Sequence, residues 1–145
     1  MEKQPNSVGF FIRKINTDQF AIVEDAYTDG AKIRISSSLN FGANAADSIV
    51  SVAVKCMFHQ TETPFIIIEA SCHFKIKPDN WGQFYHTKTK KISLPKGFAT
   101  HLALLTVGTA RGILHAKTEN TPYNRFYLPP INLNELVKED ISFVM

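Results

Sequence analysis

The sequence predicts an α+β fold in which a four-stranded antiparallel sheet precedes a long helix and a short C-terminal helix. Residues 48–58 and 65–76 alternate between apolar and polar side chains, as half-buried strands do, whereas residues 99–117 form one helical stretch. The strands come first and the helices last, which is typical of a sheet with helices on one face. We therefore expect one domain over residues 1–145.

The first predicted strand, residues 8–23, is the least regular of the four. Phe10 and Ile12 share one phase of the alternation, whereas Phe11 and Ile15 share the other. A β-bulge, which inserts one extra residue into a strand, accounts for such a change of phase. We expect a bulge or bend inside this strand.

The other three strands alternate more cleanly. The connection QTETP between the last two has the length of a hairpin loop, and its proline suits the first residue of a strand. The predicted core faces of the three strands are Ile33, Ile35, Leu39 and Phe41; Val50, Val52, Val54, Cys56 and Phe58; and Ile66, Ile68, Ala70, Cys72, Phe74 and Ile76.

The long helix, residues 99–117, has apolar or small residues on almost every side. A surface helix needs an apolar stripe only about 100° wide, which the chain's own sheet can cover. The apolar residues on the other flank therefore predict contact with another copy of the chain or with a ligand. Gly108 and Gly112, one turn apart, would let another backbone approach closely. Packing of these glycines on the chain's own sheet is the alternative.

Two irregular segments flank this helix and are rich in aromatic residues. Residues 77–91 have no periodicity, and residues 118–130 have none either. Aromatic residues in polar loops anchor the loop on the core or line a groove, and their number here favours a groove. They are Trp81, Phe84 and Tyr85 in the first segment and Tyr123, Phe126 and Tyr127 in the second.

The C-terminal region begins with a helix signal. Asn132 is a candidate N-cap with Glu135 at the third helical position, which predicts a short helix over 132–140. Residues 141–144 are expected to form a partly ordered tail.

Composition and motifs exclude several classes of protein. A net charge of +3 is mild, and no segment has the apolar length of a signal peptide or membrane span, so we expect a cytoplasmic protein without membrane insertion. Cys56 and Cys72 are expected to be buried free thiols. Metal-ligand spacings, a glycine-rich phosphate loop and paired acids are absent from the sequence. We therefore expect no enzyme activity, no cofactor, no metal and no catalytic residue.

Several sequence elements together resemble the SecB-type cytosolic export chaperones. These are the strand FIIIEASCHFKI, the pairs Leu94-Pro95 and Phe98-Ala99 at the start of the long helix, Ala110-Arg111-Gly112 late in it, and the segment LPPINL over 128–133. The resemblance implies an ATP-independent holdase that binds unfolded or precursor polypeptides in apolar grooves. It also implies a homotetramer, built as a dimer of dimers through the long helices, and delivery of clients to the SecA motor.

The resemblance also assigns roles to individual residues. The implied substrate-binding residues are Trp81, Phe84, Tyr85, Phe126, Leu133, Leu136 and Val137. The implied oligomer interface comprises Leu102, Leu105, Gly108, Thr109, Gly112 and Ile113. Ile67 and Glu69 would face SecA, whereas Gln19 and Val23 stand where export members carry acids.

The sequence is compatible with two other functions. Because this chain is basic and export members are acidic, it could be a SecB-like chaperone of a toxin-antitoxin module. It could also be a nucleic-acid-binding domain with Tyr85 as a stacking platform, although this reading is weaker. The cations of that alternative are Lys75, Lys77, Lys88, Lys90 and Lys91.

Overall fold

The computed structural model describes residues 8–145, and it contains the predicted four-stranded antiparallel sheet. In chain order the strands are β1 (Phe10–Ile22), β2 (Arg34–Asn44), β3 (Ile49–His59) and β4 (Pro64–Ile76). In space the order is β1-β4-β3-β2, so that β1 and β2 form the two edges of the sheet. β4 begins at Pro64, as the sequence predicts.

The two central strands bury the side chains that the alternation predicts. Val52 of β3 lies opposite Cys72 of β4, and Val54 lies opposite Ala70, so the apolar faces of both strands coincide. All eleven predicted core-face residues of these two strands are at most 1% exposed. A period of two therefore places both strands correctly on the core.

The predicted irregularity of β1 is present as two shifts of register with β4. Ile12 lies opposite Phe74 and Lys14 opposite His73, so Arg13 is an extra residue. A second shift lies between Thr17 and Gln19.

The long helix, α2 (Lys96–Thr118), lies across the central strands β4 and β3. It begins three residues earlier than the sequence predicts, because Asp140 accepts a hydrogen bond from the first helical N–H, at Lys96, at 2.8 Å. The side chains that face the sheet are buried; they are Ala99, Leu102, Ala103, Thr106, Val107, Ala110 and Leu114.

The segment 77–91, predicted to be irregular, contains regular structure. It forms a one-turn helix, α1 (Pro78–Trp81), and the strand β5 (Tyr85–His86), which pairs with β6 (Lys91–Leu94). A C-terminal strand, β7 (Ile141–Val144), pairs with the other edge of β6. The expectation of a partly ordered tail over 141–144 is therefore wrong, since these residues complete a second sheet of order β5-β6-β7.

The last helix is shorter than the sequence predicts. The Asn132 side chain accepts a hydrogen bond from the Asn134 N–H at 3.1 Å, as an N-cap does. The helix itself, α3, comprises only Leu133–Leu136. The next residue, Val137, is extended and buried, and the chain continues from it towards β7.

Candidate functional site

The long helix is narrower than the sheet on which it lies. Four strands about 4.8 Å apart extend beyond a helix about 10 Å across. The helix packs on the two central strands, and its residues do not cover the apolar side chains that lie beside it.

One flank of α2 faces the segment that follows the helix and returns along it. An open cleft of about 320 Å³ lies between the two. Leu104, on the helix wall of this cleft, is 57% exposed. We call this space the α2 cleft; its lining residues are Leu104, Val107, Arg111, Pro130, Ile131 and Leu133.

Arg111 holds the second wall of the α2 cleft in place. Its Nε donates to the Leu128 carbonyl and its Nη2 to the Pro129 carbonyl, both at 3.0 Å. Leu128 is buried, whereas the two prolines that follow it have no N–H to donate. The guanidinium thereby fixes an extended backbone that makes few hydrogen bonds of its own.

The face of α2 that is turned away from the sheet and the flank opposite the cleft are both open. Gly108 and Gly112 are exposed, and a Cβ added to either would meet no atom within 4 Å. Leu105, Thr109 and Ile113 beside them are half-buried. The alternative in which the glycines pack on the chain's own sheet is therefore wrong for this monomer.

The edge strand β1 continues this open flank. Thr109 lies 3.6 Å from the Cys72 sulfur, and Cys72 is the cross-strand neighbour of Ile15. Ile15 is 50% exposed and Ile12 is 42% exposed. The helix and the strand therefore form one exposed apolar surface, which we call the β1 flank.

Leu102 does not belong to the β1 flank, although it is among the residues implied for the oligomer interface. It is completely buried against the sheet. Thr106 and Ala110, one and two turns further along the helix, are equally buried. The Leu102 side chain is thus inaccessible to a second copy.

Two of the implied substrate-binding residues fill the core of their own chain. The Phe84 ring stacks on Phe98 of α2, with centroids 5.1 Å apart and planes 7° apart. Trp81 is 9% exposed and stacks on the half-buried Tyr85, with centroids 6.0 Å apart. The loop aromatics thus anchor the loop, and the nucleic-acid alternative has only one face of the Tyr85 ring left to use.

The implied substrate-binding residues of the C-terminal region divide in the same way. Leu133 and Val137 are buried, although Leu133 still lines the α2 cleft at its edge. Leu136 is 37% exposed. Phe126 is half-buried, with its ring centroid 5.3 Å from that of Phe65.

Phe126 belongs to an aromatic cluster that the sequence does not reveal. Arg125 lies over the rings of Tyr27 and Phe126, and it forms an ion pair with Asp29 at 3.2 Å. Four separate segments contribute to the cluster, so no local spacing could indicate it. Its rings are Tyr27, Phe58, Phe65, Tyr123 and Phe126.

Comparison of the sequence with models of known protein families finds no match, and neither does comparison with curated proteins. Among solved structures, the chain is similar to a SecB-like chaperone of Mycobacterium tuberculosis, in complex with a ChAD peptide from the HigA1 antitoxin. The TM-score is 0.52 at 16% identity, over 84% of this chain and 90% of that chain. The chain has a SecB-like fold.

A second solved structure is a Streptococcus agalactiae protein of unknown function. Its TM-score is 0.38 at 14% identity, over 87% of this chain and 99% of that chain. This superposition is too loose to support an argument, and the assignment of the SecB-like fold rests on the mycobacterial protein.

The outer face of the sheet in this SecB-like fold carries the two residues implied for SecA. Ile67 and Glu69 lie on β4, point away from α2 and are half-buried. Glu69 pairs in register with Gln19 on one side and Lys55 on the other. The face around Glu69 therefore carries both positive and negative charge. Contact with SecA stays a prediction.

The part of the SecB-like fold that the structure describes offers no group of three His, Cys, Asp or Glu residues that could hold a metal. Cys56 and Cys72 are buried free thiols, as predicted. Burial raises the pKa of the Cys56 thiol and thereby disfavours the reactive thiolate. None of the helices within residues 8–145 is long and apolar enough to cross a membrane.

Proposed function

We propose that this protein is a chaperone that binds segments of non-native polypeptides in the α2 cleft, without nucleotide and without chemistry of its own. The observation that carries the proposal is the cleft itself, whose exposed wall at Leu104 is apolar and whose volume is about 320 Å³. Burial of apolar side chains yields about 25 cal/mol per Å² and has no directional requirement. Such a site accepts many sequences.

The similarity of fold supports a polypeptide client. The mycobacterial SecB-like chaperone was solved with an antitoxin peptide, so a protein of this fold does hold a peptide. For this chain we propose the same class of client, and an antitoxin segment and an export precursor are both members of it. Delivery to SecA rests on Ile67 and Glu69 alone and is a separate prediction.

We further propose that the β1 flank binds a second copy of the chain. Its exposed Ile12 and Ile15 and the open backbone at Gly108 and Gly112 provide a close-packing surface. The client cleft lies on the other flank of α2, and Gly108 is one helical turn from Leu104, so a second copy bound here borders the cleft. A dimer of dimers is the assembly that the family resemblance implies.

The proposed client site can be tested by suppression of aggregation. We expect the wild type to reduce light scattering from a chemically unfolded model enzyme, at equimolar concentration and without ATP. The double variant Leu104→Gln with Ile131→Gln should lose at least about half of this effect, because both side chains line the cleft and polar atoms there weaken apolar burial.

The matched control is Val144→Gln, which changes an apolar side chain that is 83% exposed and lies outside the cleft lining. It should suppress aggregation as the wild type does. A wild type without any effect would refute the chaperone proposal. Full suppression by the double variant would refute the cleft as the binding site.

A further inference from the structure

The first β-bulge of β1 brings two consecutive basic side chains to one face of the sheet. Ile12 faces α2 from opposite Phe74, and Lys14 faces the other side from opposite His73. In a regular strand, neighbouring residues point to opposite faces. With Arg13 as the extra residue, Arg13 and Lys14 line the same recess on the outer face.

This recess has a volume of about 310 Å³ and is lined by Arg13, Lys14, Asp47, Ile49 and His73. Lys75, on the same face of β4, lies directly beside it, in register with Ile49. Its ammonium group donates a hydrogen bond to the backbone carbonyl of Asp47.

The cations of this recess are not neutralised by neighbouring carboxylates. The ion pairs found within residues 8–145 are His115 with Glu119 and Arg125 with Asp29, so Arg13, Lys14 and Lys75 take part in none of them. Asp47 is the one carboxylate among the lining residues, and its single negative charge offsets only one of the positive charges of Arg13, Lys14 and Lys75. Net positive charge therefore remains.

Apolar side chains accompany the cations. Phe11, which is 53% exposed, lies opposite Lys75 on the outer face, and Ile49 lies on the other side of Lys75. A ligand that reaches this surface thus meets positive charge and apolar contact together. This combination fits a polypeptide that has both carboxylates and apolar side chains.

We propose that the basic corner formed by Arg13, Lys14, His73 and Lys75 binds an acidic segment of a partner polypeptide. It lies on the opposite face of the sheet from the α2 cleft, so the proposal does not depend on client binding. The corner supplies the positive charges and the partner supplies the carboxylates, which is the reverse of an acidic docking face.

A nucleic acid fits this face less well. The neighbouring recess on the same face, of about 440 Å³, is lined by Asp18 and Glu69. Lys55, beside Glu69 in register, offsets one of these two charges. A phosphate backbone carries a charge at every nucleotide and would meet the remaining carboxylate, whereas a short acidic segment needs only the corner.

The proposal is tested with a short fluorescent peptide of alternating glutamate and leucine, and with the same peptide carrying glutamine for glutamate. We expect the acidic peptide to bind about tenfold more tightly at low salt, and this advantage to shrink as salt is added. The double reversal Arg13→Glu with Lys14→Glu should weaken binding of the acidic peptide about tenfold.

The control is Lys32→Glu with Lys138→Glu, an equal change of net charge at two exposed lysines away from the corner. It should change affinity less than about twofold. Because Arg13 and Lys14 are exposed, all variants should keep the wild-type melting temperature, which verifies that they fold.

Equal affinity for the two peptides, or unchanged affinity in the Arg13→Glu, Lys14→Glu variant, would overturn the proposal. Tighter binding of a single-stranded oligonucleotide, lost in the same variant, would assign the corner to nucleic acid instead.

Discussion

At the scale of single residues, burial decides what an aromatic side chain in a polar loop does. Phe84 and Trp81 are surrounded by polar residues in the sequence, yet their rings stack on Phe98 and Tyr85. Each ring therefore contributes to folding of the monomer. Leu104, in contrast, lies in the middle of a helix that is apolar or small on almost every side, yet it is among the more exposed apolar side chains of residues 8–145.

This contrast predicts opposite outcomes for two aromatic substitutions. Phe84→Ala should lower the free energy of unfolding by about 3–5 kcal/mol, because it removes a buried ring and leaves a cavity. Tyr127→Ala, at a residue that is 57% exposed, should change it by less than about 1 kcal/mol. Urea unfolding of both variants measures the difference, and a loss for Phe84→Ala as small as that expected for Tyr127→Ala would show that burial of Phe84 does not stabilise the monomer.

At the scale of elements, the start of the long helix depends on a residue far away in the chain. The Lys96 N–H at the start of α2 is bound by Asp140, which lies 44 residues later and directly precedes β7. A carboxylate at a helix N-terminus satisfies a free N–H and interacts favourably with the helix dipole. Asp140 thus joins the long helix to the second sheet.

Asp140→Ala should therefore destabilise the protein by about 1 kcal/mol and fray the first turn of α2. Glu139→Ala is the matched control, since it removes the same charge from the neighbouring exposed residue. Thermal unfolding gives the stability, and hydrogen exchange at residues 96–99 gives the fraying. If the two variants behave alike, charge and not the hydrogen bond is responsible.

At the scale of the whole molecule, the β1 flank remains uncovered by any other part of residues 8–145. The exposed isoleucines and the free edge of β1 lie beside α2, whose outward face carries the two open glycines. A larger exposed apolar surface of this kind marks a site of association. The proposed oligomer would bury it.

Gly112→Leu should dissociate the oligomer and leave the monomer folded. A side chain at this position meets nothing within 4 Å in the monomer, and replacing a helical glycine favours the helix by up to about 1 kcal/mol. Solution mass from light scattering measures the assembly, and circular dichroism measures the fold. Lys117→Leu, at another exposed position of α2, should leave the assembly intact. An unchanged mass for Gly112→Leu would place the interface elsewhere.

Elements with a local signal were predictable from the amino-acid sequence alone. Alternation identified the four strands of the main sheet and the buried faces of β3 and β4, and the uninterrupted helical stretch identified α2. The phase change in β1 indicated its bulges, and Asn132 indicated a helix start. These signals suffice because each is carried by residues within one element and does not depend on the element that packs against it.

How these elements meet was visible only in the three-dimensional structure. The pairing of β7 with β6, the contact of Asp140 with α2, and the aromatic cluster around Phe126 all join residues that are distant in sequence. The same holds for the α2 cleft, whose two walls are held together by Arg111, and for the basic corner at Arg13. Periodicity shows which face of its element a side chain lies on, whereas the burial of that side chain depends on which distant surface packs against the face. For this reason the fold was predictable, whereas the residues that remain open for binding were not.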